Sequence, residues 1–164
     1  MISVEGEAKW LVIVNLHAGS QKCKRDWPQI EKLIKNAGLR TKTIFTEKAF
    51  QAIEITKSFI EEKGFKKIII VGGDGTMNEV VNGIFRQNRF KTTEITLGLI
   101  TVGTGNDWGR HYGIHDEYHK MVETIVKGKT FVQDVGKVNY SHIGNKEDRY
   151  FVNIAGLGFA ALVA

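Results

Sequence analysis

The chain has 164 residues, of which 42% are hydrophobic, enough for one compact domain of ordinary size. Its formal net charge of +5 suits anionic ligands such as nucleotides or an acidic lipid surface, but indicates no nucleic-acid partner. No apolar run approaches the roughly 20 residues of a membrane span, and the N-terminus has no signal-peptide pattern. Cys23 is the one cysteine, which excludes an internal disulfide and predicts a cytoplasmic protein.

The first part of the chain alternates apolar runs with a helical pattern. The continuous run Trp10–Val14 predicts a parallel strand covered on both faces, and a turn follows over 15–19. Pro28 suits the first turn of a helix, which Gly38 ends. Residues 41–45 are rich in β-branched side chains and predict a second strand.

The middle of the chain repeats this alternation. The predicted elements, in chain order, are a helix over 49–60, a strand over 67–71, a helix to about residue 88, a strand over 95–102 and a helix over 117–126. Strands that alternate with helices predict right-handed βαβ units. We therefore expect residues 1–130 to form an α/β domain with a mostly parallel sheet and helices on both of its faces.

After Gly128 the helical pattern stops. Residues 130–138 and 150–154 predict two strands, and the polar stretch 139–149 between them predicts a hairpin turn. We expect residues 131–164 to be the first strands of an incomplete, β-rich second domain. Because two strands cannot bury so many apolar side chains, we expect the isolated chain to form a homo-oligomer or to be partly unfolded after about Val132.

The most informative stretch is the string VGGDGTMNE at 71–79, which lies between a predicted strand and a predicted helix. Glycines permit positive φ and leave no Cβ in the way of a ligand, and a helix N-terminus offers free N–H groups to phosphate. Asp74 and Thr76 then suit Mg²⁺, water or ribose. The alternative is a tight turn in which Asp74 or Thr76 caps the helix.

A second glycine string, GTGND at 103–107, also follows a predicted strand. Asn15 and Thr46 come directly after the first two strands. Ligands of parallel sheets bind beyond the carboxyl ends of the strands, where all four segments converge. The sequence therefore predicts a nucleotide site at this edge.

With both loops placed, the sequence resembles the catalytic domain of the diacylglycerol kinase family. The nearest branch is that of the soluble bacterial lipid kinases, and sphingosine and ceramide kinases belong to the wider group. The matching pieces, in the family's order, are VNLHAG at 14–19, FTEKAFQA at 45–52, VGGDGTMNEVVNG at 71–83, LITVGTGNDWGR at 99–110, QDVGKVN at 133–139 and YFVNIAGLGFAA at 150–161.

The resemblance implies a fold like that of phosphofructokinases and NAD kinases, with ATP in an interdomain cleft. It implies Mg²⁺-dependent transfer of the γ-phosphoryl group to a lipid hydroxyl, by a protein peripheral to the membrane. Asp74 and Gly75 are the implied catalytic residues. The family motifs and the two loops together give these candidate nucleotide-binding residues: Asn15, Thr46, Gly72, Gly73, Asp74, Gly75, Thr76, Met77, Asn78, Glu79, Gly103, Thr104, Gly105 and Asn106.

Two roles stay open for Glu79, contact with ribose or metal and compensation of the dipole of its own helix. No metal ligand is assigned, because the family's structural metal site and its general base are expected beyond Ala164. The chain also has Leu16 where the family usually has proline, and Ala160 where it often has aspartate. We therefore expect the nucleotide-binding N-terminal part of a lipid kinase; the alternatives are an NAD-kinase-type enzyme and a non-catalytic nucleotide-binding regulatory module.

Overall fold

The computed structural model describes residues 9–103, 107–113, 117–142 and 145–153. The strands are β1 (Trp10–Val14), β2 (Thr41–Phe45), β3 (Lys67–Gly72), β4 (Thr96–Thr101), β5 (Gly136–His142) and β6 (Asn145–Phe151). The α-helices are α1 (Lys22–Asn36), α2 (Gln51–Lys63), α3 (Asp74–Arg86), α4 (Asp107–His111) and α5 (Tyr118–Lys127), and a short 3₁₀ helix spans Thr92–Glu94. None of the helices in these described ranges is long and apolar enough to cross a bilayer.

The first four strands form one parallel sheet in the order β2-β1-β3-β4. Their carboxyl ends are level, since Val14 pairs with Phe45 on one side and with Val71 on the other. Gly72, one residue later, pairs with Thr101. The predicted α/β class with a mostly parallel sheet is confirmed, and the segments that follow the four strands begin at one edge.

Helices cover both faces of this sheet, which explains why the strands are continuously apolar. Alternate residues of each strand enter opposite cores, so Val12 packs with α1 and α5 whereas Leu11 packs with α2 and α3. The residues that α1 contributes to the core follow helical spacing, and Cys23, Trp27 and Ile30 are buried. The helices α2 and α3 pack closely enough that a Cβ added at Gly83 would lie 2.6 Å from the carbonyl oxygen of Ile53.

A second, antiparallel sheet of β5 and β6 lies against α3. Asn82, which is 1% exposed, holds it there through both ends of its amide. Its Nδ2 donates to the carbonyl oxygen of Tyr150 at 2.8 Å, and its Oδ1 accepts from the N–H of Tyr150 at 3.0 Å. The ring of Tyr150 also stacks on Phe85 with centroids 4.3 Å apart.

The hairpin differs from its prediction, because residues 130–135 are not a strand and the polar stretch 139–149 lies largely within β5 and β6. The polar side chains of this stretch indicated a loop, but in the structure they bond to one another across the two strands. Lys137 forms an ion pair with Asp148 at 2.6 Å, and the Tyr140 hydroxyl donates to Glu147 at 2.9 Å. The predicted end of the last strand and the tail beyond it lie outside the described residues.

The first helix also differs from its prediction, because it begins at Lys22 rather than at Pro28. Ser20 and Gln21 adopt positive φ, so the chain turns directly from the first loop into the helix. Pro28 is therefore inside α1, where it cannot donate the usual backbone hydrogen bond.

Candidate functional site

A cleft of about 730 Å³ opens at the carboxyl edge of the parallel sheet. Each of the four strands leads into a segment that lines it. The lining residues are Asn15, His17, Ala18, Gly19, Thr46, Glu47, Lys48, Ala49, Gly73, Asp74, Gly75, Thr76, Glu79 and Gly103. The convergence of the loops, which the strand order requires, therefore produces one continuous cleft.

Three glycines from different loops meet at this cleft. A Cβ added at Gly19 would lie 3.5 Å from the Cα of Gly103, and one added at Gly73 would lie 4.0 Å from the same atom. Gly19 also has φ +62°, which favours glycine. The backbones thus approach each other closely, and ligand atoms can reach them without meeting side chains.

The glycines of the string at 72–75 provide space rather than positive φ. Gly73 is the N-cap of α3 with φ −100°, and neither Gly72 nor Gly75 has positive φ, so that part of the sequence interpretation is wrong. A Cβ at Gly72 would lie 2.7 Å from Thr76 Oγ1, whereas a Cβ at Gly75 would meet no atom within 4 Å. Gly72 is therefore required by packing, and Gly75 leaves open space in the cleft.

Neither Asp74 nor Thr76 is the N-cap residue of α3. The N-cap is Gly73, which has no side chain to cap the helix. Thr76 Oγ1 instead accepts a hydrogen bond from Asn15 Nδ2 at 3.1 Å. The Oδ1 atom of Asn15 accepts from the N–H of His17 at 3.0 Å, an Asx turn that orients the loop after β1.

Glu79 lines the cleft from the second turn of α3 and is half-buried. Its Oε2 accepts a hydrogen bond from the N–H of Ala52 at 3.1 Å. The carboxylate therefore lies at the N-terminus of α2, where negative charge is favourable. This contact was not expected from the sequence, which places the two residues 27 positions apart.

The charged side chains of the lining are mostly acidic. Glu47, Asp74 and Glu79 contribute three carboxylates, and Lys48 contributes one ammonium group. His17 is the remaining titratable residue of the lining. Such a cleft repels a bare polyphosphate but suits one that carries a divalent cation, since carboxylates and waters are the usual ligands of Mg²⁺.

Most of the sequence-derived candidates are brought together in the cleft, but three are not part of its lining. Gly72 is buried at the end of β3, and Met77 is 2% exposed in the core under α3. The Oδ1 atom of Asn78 accepts from Asn82 at 2.7 Å. Thr104, Gly105 and Asn106 lie outside the described residues.

Six lining residues were missed by the sequence analysis. They lie in the same post-strand segments as the candidates Asn15 and Thr46, and that position alone could have indicated them. They are His17, Ala18, Gly19, Glu47, Lys48 and Ala49. The motifs indicate only their own positions, whereas the topological rule applies to whole loops.

The helices α1 and α5 are joined by a hydrogen bond on one face of the sheet. Tyr118 at the start of α5 donates its hydroxyl to Asp26 of α1 at 2.7 Å, and Lys22 lies over the Tyr118 ring. This hydrogen bond holds the pKa of the Asp26 carboxyl below its usual value, whereas burial and Asp26 raise the pKa of Tyr118. Burial raises the pKa of the Cys23 thiol to about 11, so this cysteine is an unreactive core residue.

Fold and cleft together define a parallel α/β protein with a glycine-lined site at the carboxyl edge of its sheet. A family model, the diacylglycerol kinase catalytic domain, matches residues 9–138. The chain belongs to this family, which confirms the resemblance drawn from its motifs.

Similar proteins include two staphylococcal diacylglycerol kinases. The chain is 34% identical to the one from Staphylococcus carnosus and 36% identical to the one from Staphylococcus epidermidis. Each alignment covers 90% of this chain, but only 44% and 42% of the relatives. A crystal structure of a diacylglycerol kinase from Bacillus anthracis is similar with a TM-score of 0.61 at 27% identity, covering 80% of this chain and 46% of that one. The chain thus spans less than half the length of these proteins.

Proposed function

We propose that this chain is the nucleotide-binding part of an ATP-dependent lipid kinase. Such an enzyme transfers the γ-phosphoryl group of ATP to the hydroxyl of a diacylglycerol-like lipid. One observation carries the proposal: every residue that lines the cleft falls within the segment matched by the family model, 9–138. In this proposal residues 1–130 are the α/β domain, and residues 131–164 begin a β-rich second domain.

The cleft has the features that a nucleoside triphosphate requires. Its volume is in the range of small-molecule sites, which is roughly 300–1,000 Å³. The N-terminus of α3 faces it, and the first N–H groups of a helix have no partners within that helix. Phosphate oxygens would be held by the backbone of Gly73, Gly75 and Thr76, with Gly103 opposite.

The acidic lining fits a nucleotide that binds together with Mg²⁺. Asp74 is at the first position of α3 and would hold the cation, directly or through water. Bound Mg²⁺ neutralises charge that develops on the transferred phosphoryl group. Within this scheme Asp74 and Gly75 are the catalytic positions of the chain, the first through its charge and the second through the space that it leaves.

The acceptor lipid and the membrane surface are supported by the family and by charge. The relatives are named diacylglycerol kinases, and the net charge of +5 suits an anionic bilayer surface. We propose a cytoplasmic, peripherally associated protein. The wall that contacts the lipid and the general base would belong to the part of such kinases that this chain does not span.

Two measurements test the proposal. Titration calorimetry of this chain with Mg·ATP should give a saturable heat, and Mg·ATP should raise the melting temperature. Turnover of the whole protein should then be measured with diacylglycerol, a sphingoid base and NAD as acceptors. Turnover of NAD would establish an NAD-kinase-type enzyme, and binding without any turnover would establish a regulatory module. A folded chain that shows no binding at millimolar Mg·ATP contradicts the nucleotide site itself.

A further inference from the structure

Glu79 joins the two helices that flank one side of the cleft. Its Oε2 accepts the hydrogen bond of the Ala52 N–H at 3.1 Å, and Ala52 is the second residue of α2. Glu79 itself belongs to α3, the helix that begins with Asp74. The bond therefore connects the start of α2 to the helix that carries the proposed catalytic carboxylate.

The start of α2 has no side-chain cap from its own N-cap residue. Its N-cap is Phe50, which adopts a left-handed backbone with φ 64° and provides no side-chain cap. A residue with a Cβ disfavours this conformation. Two of the first N–H groups of the helix, those of Gln51 and Ile53, donate to carbonyl oxygens just before them, whereas that of Ala52 donates across to α3. The Glu79 carboxylate satisfies one of these groups and places negative charge at the positive end of the helix dipole.

The segment 46–49, which forms one wall of the cleft, lies between β2 and this helix start. The wall is fixed to the sheet at its first residue, where the Thr46 N–H donates to the carbonyl oxygen of Val14 at 2.9 Å. The next residue ties the wall to α2, since the Glu47 N–H donates to Gln51 Oε1 at 2.5 Å. Whatever holds the start of α2 therefore also holds the wall.

We propose that Glu79 is a positioning residue, which fixes the wall at 46–49 relative to Asp74 and acts on the nucleotide through that wall. This inference rests on the proposed function, since the ligand whose affinity it controls is Mg·ATP. It replaces the two roles that the sequence left open, contact with ribose or metal and compensation of the dipole of α3. The helix that receives the charge is α2.

The test compares Glu79→Ala with Glu79→Gln in this chain. Alanine removes the acceptor, whereas glutamine keeps an oxygen that can accept from Ala52 but loses the charge. We expect alanine to weaken Mg·ATP binding about tenfold, the factor that one lost hydrogen bond to a charged group represents, and glutamine to restore most of it. Glu54→Gln is the matched control, because Glu54 is an exposed carboxylate in the first turn of α2 that does not line the cleft.

Hydrogen exchange of the nucleotide-free chain provides a second measurement. Amides of residues 46–52 should exchange faster in Glu79→Ala, remain protected in Glu79→Gln and Glu54→Gln, and leave the central strands unchanged in all three. Two results would overturn the inference. The first is wild-type affinity in Glu79→Ala. The second is an equal loss of affinity in both Glu79 variants while the Ala52 amide stays protected, which would show that the charge contacts the ligand directly.

The two proposals fail in distinguishable ways. If the wild-type chain binds no Mg·ATP, the proposed function fails, and exchange alone decides whether Glu79 holds the wall. Unchanged exchange over 46–52 in Glu79→Ala then rejects the positioning role, and faster exchange there supports it.

Discussion

The side-chain amide of Asn15 donates a hydrogen bond to the hydroxyl oxygen of Thr76 at 3.1 Å, although 61 positions separate the two residues in the chain. Asn15 is the first residue after β1, and Thr76 lies in the first turn of α3. Thr76 is 5% exposed, so its hydroxyl oxygen needs a partner within the protein. The bond fixes the loop after β1 to the first turn of α3 and so helps to shape the cleft between them.

A double-mutant cycle should detect this bond. Asn15→Ala and Thr76→Val each remove one partner, and we expect a coupling free energy of about 1 kcal/mol between them in urea unfolding. Each single variant should also weaken Mg·ATP binding, because the two loops are no longer aligned. Thr76→Ser retains the hydroxyl and is the control. Strictly additive effects would show that the two side chains do not interact in solution.

Gly75→Ala should weaken Mg·ATP binding without lowering the stability of the fold. An added Cβ meets no protein atom within 4 Å and enters a helix without positive φ, so the free energy of unfolding should stay level or rise by about 0.5–1 kcal/mol. The same Cβ projects from a residue of the cleft lining, and Mg·ATP affinity should fall. Calorimetry and thermal unfolding of one sample give both quantities. Unchanged affinity would place the ligand away from Gly75.

Gly72→Ala is the complementary variant. Its Cβ would lie 2.7 Å from Thr76 Oγ1 and 2.9 Å from Thr76 Cβ, so the first turn of α3 must shift. We expect a loss of stability of about 1–3 kcal/mol, the usual cost of overpacking. A variant as stable as the wild type would show that α3 can move freely at its start.

ATP should bind this chain much more weakly without Mg²⁺. Three carboxylates and one lysine line the cleft, so the bare polyphosphate meets net negative charge, and chelation of Mg²⁺ with EDTA should lower affinity by about tenfold or more. Asp74→Asn should reduce this difference, because it removes the carboxylate proposed to hold the cation. The measurement is calorimetry with and without EDTA at constant ionic strength. Equal affinity under both conditions would contradict the metal-dependent site.

Asn82 should be important for the attachment of the second sheet to α3. Its amide both donates to and accepts from the backbone of Tyr150, and its side chain is almost completely buried. In Asn82→Asp a carboxylate replaces the donor and faces a carbonyl oxygen, so we expect a loss of about 2 kcal/mol or more. Asn88→Asp makes the same change at an exposed position and should cost little. Hydrogen exchange should localise the effect to β5 and β6.

The parallel sheet could be predicted because its signal is local. Strands such as Trp10–Val14 are short apolar runs, and residues 41–45 are rich in β-branched side chains. Glycines such as Gly64 and Gly128, both left-handed C-caps, mark the ends of helices. The loops after the strands also carried their own motifs. Strand order and the common edge then follow from the rules for βαβ units.

Side-chain partners across the fold could not be predicted in this way. Nothing in the sequence near Glu79 indicates that it caps a helix that begins at Gln51, because that contact depends on how α2 and α3 pack. The same holds for Asn82, whose partner is 68 positions away. The hairpin was misread for a related reason: the side chains of Lys137 and Asp148 are polar, and only their pairing across the strands reveals a sheet.

The isolated chain should self-associate through the segment that leads into β5. Phe131 is 58% exposed and Val132 is 80% exposed, and beside them an apolar groove of about 320 Å³ runs along α3 past Phe85 and Val152. Apolar surface of this kind favours association with a second copy. Val132→Ser should shift the chain toward monomer, whereas Val126→Ser, at a 52%-exposed position on α5, should not. Light scattering after size-exclusion chromatography at several concentrations measures the change, and a wild-type chain that stays monomeric throughout would show that this surface does not recruit a second copy.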